Sequence, residues 1–108
     1  MRIKYIDSNN FADITEEDPN FTGHVVDTTN DHAWYRAGKL HREDGPAVER
    51  PNGYKGWYQH GKRHREDGPA REWADRHKEW WINGQEMSEE DHKQWLRTNK
   101  LKRFFKEE

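Results

Sequence analysis

The string His41-Arg-Glu-Asp-Gly-Pro-Ala47 returns letter for letter at His64 to Ala70, a step of 23 residues in a chain of 108. A histidine beside arginine, glutamate and aspartate is the residue set of acid–base or metal chemistry, and such chemistry gathers its groups around one point. Repetition along the chain argues for a different use. Paired strands lie about 4.8 Å apart, so copies separated by a two-strand unit stand about 10 Å apart. That is too far for both imidazoles to reach one metal at ~2 Å. His41, His64, Asp44, Asp67, Gly45 and Gly68 are therefore read as serving the fold. The aspartates are expected to make Asx-type turns before conformationally free glycines, with His, Arg and Glu pairing between copies.

The same step runs outward from the string. Trp34-Tyr35, Trp57-Tyr58 and Trp80-Trp81 keep it, as do the turn pairs Ala37-Gly38, His60-Gly61 and Asn83-Gly84. Backward, the frame sets Gly23-His24-Val25 against Gly45-Pro46-Ala47 and Thr29-Asn30 against Asn52-Gly53, so a worn copy begins near Asp18-Pro19. Forward, it fails after Gln85, where Met87-Ser88-Glu89-Glu90 replaces the string. Pro46 to Arg50 reads as a short extended run, Pro51-Asn52-Gly53 as a turn, and Lys55 to Gln59 as a strand with an aromatic centre. Asn83-Gly84 is a type I′ hairpin signal. The fold class is mainly β: an antiparallel meander of hairpin repeats, with a C-terminal helical segment capping its end.

Ser88 reads as an N-cap before an acidic first turn. A helix is expected from Glu89 to about Arg97, then a break near Thr98-Asn99 and a second short helix. The break follows from Trp95, Leu96, Leu101, Phe104 and Phe105, which would point around most of one unbroken helix. The chain then reads as one domain with an N-terminal segment (1–17), repeats (18–87) and a helical cap with a basic tail (88–108).

Composition limits the core and the chemistry. Only 30% of the chain is hydrophobic and 37% charged, yet it holds 6 Trp, 4 Tyr and 4 Phe. An aromatic core is expected, with Trp34, Trp57 and Trp80 in one file and Tyr35, Tyr58 and Trp81 on the reverse face. The net charge of -2 argues against a general polyanion binder, although residues 1–33 sum to -5 and residues 34–108 to +3. With no cysteine, no stretch of 18 apolar residues and no leader-like N-terminus, a soluble cytoplasmic protein is expected. No phosphate-binding glycine loop, serine elbow or HExxH is present. Neither enzyme activity, nor a cofactor, nor a catalytic or metal-ligating residue is expected.

A Pro-Asn-Gly turn followed by Trp-Tyr and x-Gly-Lys at this repeat length resembles the MORN repeat superfamily. The form carrying HREDGPA looks like a divergent variant found in bacteriophage and bacterial proteins. The resemblance covers roughly Trp34 to Gln85. It implies hairpins in an elongated antiparallel sheet serving as a scaffold for protein contact, with some association with membranes. Arg71 to Arg76, without Asn-Gly in its turn, and a third copy without HRED depart from it and imply a compact sheet with capped ends.

Features not shared between copies are the candidates for specific contact. They are the acidic Asp13, Glu16, Glu17 and Asp18, the loop residues Arg76 and His77, and Arg97, Lys102 and Arg103 toward the C-terminus. The expected role is a non-enzymatic protein–protein interaction module. From the resemblance, it is a small phage-encoded factor that binds and inhibits or redirects a bacterial host protein, such as a defence enzyme, in the host cytoplasm. The alternative is a nucleic-acid or anionic-membrane binder using Lys100, Lys102, Arg103 and Lys106. Free sheet edges would also permit a homodimer.

Overall fold

The computed structural model describes residues 3–6 and 12–106, with side chains at 3–6 and 14–99. The elements are β1 (Ile3–Tyr5), α1 (Ala12–Glu17), β2 (Gly23–Val26), β3 (His32–Arg36), β4 (Lys39–Leu40), β5 (Val48–Glu49) and β6 (Lys55–Gly56). They continue with β7 (Tyr58–Gln59), β8 (Lys62–Arg63), β9 (Arg71–Glu72), β10 (Lys78–Ile82), β11 (Gln85–Met87) and α2 (Glu89–Lys106). The main sheet runs β1-β2-β3-β5-β6-β9-β10-β11, with β4 added to β3, while β7 and β8 pair separately. All these pairs are antiparallel except β1 with β2. The protein is mainly β with a C-terminal helix, as the turn and strand chemistry predicts.

Each copy uses one stretch of five residues twice. These stretches begin at His32, Lys55 and Lys78, 23 residues apart. The first half joins the main sheet, and the second folds back as a hairpin. Tyr35 and Arg36 face Leu40 and Lys39, Tyr58 and Gln59 face Arg63 and Lys62, and Trp81 and Ile82 face Glu86 and Gln85. In the middle copy the strand expected over Lys55 to Gln59 is split at Trp57. The residue before it is Gly56, where a Cβ would stand 2.9 Å from Tyr54 Oη, so the chain passes too close to the tyrosine for a side chain. Trp57 nevertheless keeps the bonds that Trp34 makes, its N–H donating to Ala70 O at 2.7 Å and its carbonyl accepting from His64 N at 3.0 Å.

Pairing also corrects the backward frame by one residue. Val25 faces Ala33, Val48 faces Gly56 and Arg71 faces Glu79, all in steps of 23, so Val25 corresponds to Val48 and Gly23 does not correspond to Gly45. The N-terminal segment adds strand β1, which the repeat frame does not contain.

Two series of turns mark the period in backbone angles. Ala37-Gly38, His60-Gly61 and Asn83-Gly84 have φ of 50 and 81°, 53 and 80°, and 50 and 83°, the two positive values a I′ hairpin needs. Asn30, Gly53 and Arg76 form the second series at φ 66, 95 and 75°. Their turns are supported by Asp27, Asn52 and Asp75, whose Oδ1 atoms accept the amides of Thr29, Tyr54 and His77 at 2.9, 3.0 and 3.1 Å. The loop without Asn-Gly thus makes the same turn, with an arginine held in the left-handed region. That conformation costs a non-glycine residue about 1–2 kcal/mol, against the 0.5–1 kcal/mol that glycine loses in backbone entropy. Arg76→Gly is expected to raise the unfolding free energy by up to about 1 kcal/mol in urea titration. A decrease would mean that the arginine side chain contributes more than the strain removes.

The core lies on the Tyr35 face. Ile14 of α1, Val25, Ala33 and Tyr35 are buried together, with Ile6, Phe21 and Leu40 packed around them. Ala47, Val48, Ala70 and Ile82 are buried as well. Trp34, Trp57 and Trp80, expected as core, are only half-buried. Neighbouring side chains of a strand alternate in direction, so seating Tyr35 in the core turns Trp34 to the opposite face.

At the C-terminal end, Ser88 Oγ accepts the Asp91 amide at 3.0 Å and caps α2. The expected break at Thr98-Asn99 is absent, and α2 runs unbroken from Glu89 to Lys106. Asn99 donates its side-chain amide to Trp95 O at 2.8 Å, one turn back, so its polar group is satisfied without interrupting the helix. Among the described residues no helix is long and apolar enough to cross a membrane.

Candidate functional site

In each hairpin turn the first residue's amide needs an acceptor, and a side chain from the preceding copy supplies it. His60 N–H donates to His41 Nδ1 at 2.9 Å and Asn83 N–H to His64 Nδ1 at 3.0 Å. Ala37 N–H donates to Thr22 Oγ1 at 2.9 Å. The following glycine amides, of Gly38, Gly61 and Gly84, reach the carbonyls of Phe21, Leu40 and Arg63, each at 2.8 Å. Phe21-Thr22 therefore does the work of Leu40-His41 and Arg63-His64. Sequence comparison misses it because any accepting side-chain atom serves.

The arginine of each string lies over a tryptophan. Arg42 Cζ is 3.9 Å from the Trp34 ring centre and Arg65 Cζ 3.9 Å from that of Trp57. Nε of each donates to the aspartate two residues on, Asp44 at 3.0 Å and Asp67 at 3.1 Å. Nη1 of each donates to the proline carbonyl and to a glutamate: Pro46 and Glu49 for Arg42, Pro69 and Glu72 for Arg65. Asp44 and Asp67 thus orient arginines and do not form the expected Asx turns. These arginine side-chain pairs lie within a copy, whereas the histidine side chains reach across to the next. Gly45 and Gly68 are not among the positive-φ glycines. They are small because a Cβ would meet the arginine Cζ at 3.1 and 2.9 Å.

Beside each string lies an open groove. One, of about 510 Å³, is lined by Trp34, Arg36, His41, Arg42, Glu43 and Asp44 with Thr22. The other, of about 440 Å³, is lined by Trp57, Gln59, His64, Arg65, Glu66 and Asp67 with Gly45, the same positions 23 residues on. A further step would bring Trp80, Ile82 and Ser88 against Arg65. There the chain turns into α2 instead, and buried His92 places Nε2 2.8 Å from Arg65 O.

The first copy adds an imidazole pair. His24 Nε2 is 2.8 Å from His32 Nδ1, and the His24 ring stacks on Trp34 at 4.1 Å and 10°. Trp34 is thus covered on one face by His24 and by Arg42 on the other. Burial, then His32 and Arg42, push the His24 pKa below its ordinary 6.5 against the opposing pull of Glu49. Burial works against the charge of Glu79, but the Trp81 Nε1–H bond at 3.0 Å, Arg71 and His77 outweigh it and depress its pKa. Both native groups release protons more readily than in the unfolded chain, so stability rises with pH across each window. Stability is expected to fall first as the pH drops below about 6.5 through His24, and again below about 4.5 through Glu79. His24→Gln should flatten the upper limb of a urea midpoint against pH curve. An unchanged limb would dismiss His24 as its source.

The residues expected to contact a partner are spread along the sheet. Glu16, Glu17 and Asp18 are exposed at and just beyond the end of α1, Glu17 lying 3.9 Å from Lys4. Arg76 and His77 are exposed in the β9–β10 turn, where the His77 ring lies 4.8 Å from Trp73. Arg97 is exposed on α2, which packs on β10 at the other end of the strand order from β1. The side chains of Asp13, Lys102 and Arg103 lie outside the described residues, as do those of Lys100 and Lys106. Sequence reasoning overlooked Ile3 and Tyr5, which are 48% and 73% exposed on β1, the terminal strand of the main sheet. Among the described residues no group of three or more His, Asp or Glu side chains gathers as metal ligands would. No protein-family model, curated protein or solved structure matches the chain.

Proposed function

We propose that the chain is a non-enzymatic, MORN-like protein-binding module. The carrying observation is strand β1, which among the described residues is the edge of the sheet and displays the large apolar side chains of Ile3 and Tyr5 to solvent. Such an edge offers backbone groups and apolar contact together, the means by which a partner strand is added. The histidines and aspartates that resemble catalytic groups are engaged in holding hairpins and arginines, which supports binding over chemistry. Occupation of both Trp34 faces leaves that ring no face on which a nucleobase could stack. The finer reading is a phage-encoded factor that binds and inhibits or redirects a bacterial host protein in the cytoplasm, and it rests on the HREDGPA resemblance.

The test passes bacterial lysate over the immobilised chain, with and without nuclease, at low and moderate salt. A host protein retained at moderate salt and lost with Ile3→Asp/Tyr5→Asp is expected, with an unchanged melt for that exposed pair. Retention of nucleic acid or lipid alone, vanishing as salt rises, would refute the reading in favour of the basic tail.

A further inference from the structure

The main sheet ends in two strands that run the same way. β1 is parallel to β2, and the steps from β2 through β3, β5, β6, β9 and β10 to β11 are six antiparallel pairings, an even number. Among the described residues neither β1 nor β11 has a partner strand on its outer side. Their outward backbone groups match. Ile6 N–H donates to Val26 O at 3.0 Å, so by alternation Lys4 turns its N–H and C=O toward β2, while Ile3 and Tyr5 turn theirs outward. At the other end the two-residue turn makes Ile82 and Gln85 the bonded pair, so the N–H and C=O of Glu86 point away from β10. With Lys4 of a second chain set opposite Glu86 in parallel, Glu86 N–H can donate to the Ile3 carbonyl and Tyr5 N–H to the Glu86 carbonyl. That is the ladder of a parallel pair.

The side chains agree with that register on both faces. Lys4 lies on the face of Val25, Ala33 and Tyr35, and Glu86 on the face of Trp81, which stands two repeat steps from Tyr35. A sheet continued in the same sense therefore brings the two unlike charges together, both exposed, with Lys4 held only by Glu17 at 3.9 Å. On the opposite face Ile3 and Tyr5 meet Gln85 and Met87, beside an open groove of about 600 Å³ between β11 and α2 that Met87, Gln94 and Trp95 help to line. Like edges fit less well: two β1 strands would oppose Lys4 to Lys4, and two β11 strands Glu86 to Glu86. We propose that β11 of one chain takes β1 of a second copy, so that the sheet continues from chain to chain. This rests on the reading of β1 as a binding edge and names a second copy as its occupant. A head-to-tail contact leaves one edge open at each end, so the assembly is a series and does not stop at a dimer.

The experiment is sedimentation velocity of the purified full chain at rising concentration, where species larger than two chains are expected. Lys4→Glu and Glu86→Lys should each weaken association about tenfold, because an attracting pair becomes a repelling one. An equal mixture of the two variants restores opposite charges at every junction, and so does the double variant, and both should associate as the parent does. Melting temperatures of the dilute variants should match the parent, since both side chains are exposed. A chain that stays monomeric throughout, association indifferent to either reversal or not restored by the mixture, or a species that stops at two chains would overturn the proposal. A monomer that still retains a host protein through Ile3 and Tyr5 would overturn self-assembly and leave the protein-binding reading intact. Assembly restored by the charge exchange, with no protein retained from lysate, would support the continued sheet and sink the host-protein reading.

Discussion

His64→Ala is expected to lower the unfolding free energy by about 3 kcal/mol, through two overlapping losses. The ring is 7% exposed, so its removal leaves a cavity, and truncating a buried large side chain costs about 2–5 kcal/mol. It also removes the acceptor of the Asn83 amide, which donates to Nδ1 at 3.0 Å in a part-buried bond of the exposed turn, a loss at the low end of the about 1–3 kcal/mol that an unsatisfied buried donor costs. The two do not add fully, because the turn can open toward water once the ring has gone. His64→Asn should cost less, since its side-chain oxygen falls near the Nδ1 position and can still accept. Small domains retain about 5–15 kcal/mol, so the alanine variant should remain folded but melt well below the parent. Urea unfolding of both variants decides the matter. An alanine variant within 1 kcal/mol of the parent would mean that the histidine is not what ties consecutive hairpins together.

Three glycines at equivalent turn positions should respond very differently to alanine. At Gly38 the φ of 81° already disfavours a side chain, and a Cβ would stand 1.8 Å from Pro19 O and 2.9 Å from its carbonyl carbon. Both atoms are backbone, so the covering segment must move, and left-handed strain with forced overpacking comes to more than about 3 kcal/mol. At Gly61 and Gly84 the nearest atoms are Lys39 Cβ at 3.5 Å and Lys62 Cβ at 3.6 Å, ordinary contacts with side chains. There only the backbone conformation is penalised, by about 1 kcal/mol. Thermal melts of the three variants should therefore separate Gly38→Ala from the other two. Equal losses would contradict the close passage of Pro19 over the first hairpin.

The sequence by itself determined the period, the strand and turn alternation, and the mainly β class. These depend on local chemistry: alternation in strands, Gly and Asn at positive φ, and Ser88 as a cap. The repeated string reads as structural on the argument that catalytic groups converge whereas these are spaced along a line. Tertiary structure decided what each repeated residue does. Trp34 reads as core in one dimension, but Tyr35 takes the core, and the tryptophan becomes a plate between His24 and Arg42. Asp44 reads as a turn residue, but its carboxylate accepts from the guanidinium of Arg42. Thr22 shows no likeness to His41, yet both accept a hairpin amide. The local rules act within a few residues of one strand or turn. An acceptor 19 residues from its donor, or a ring stacked from two sides, exists only once neighbouring copies are paired.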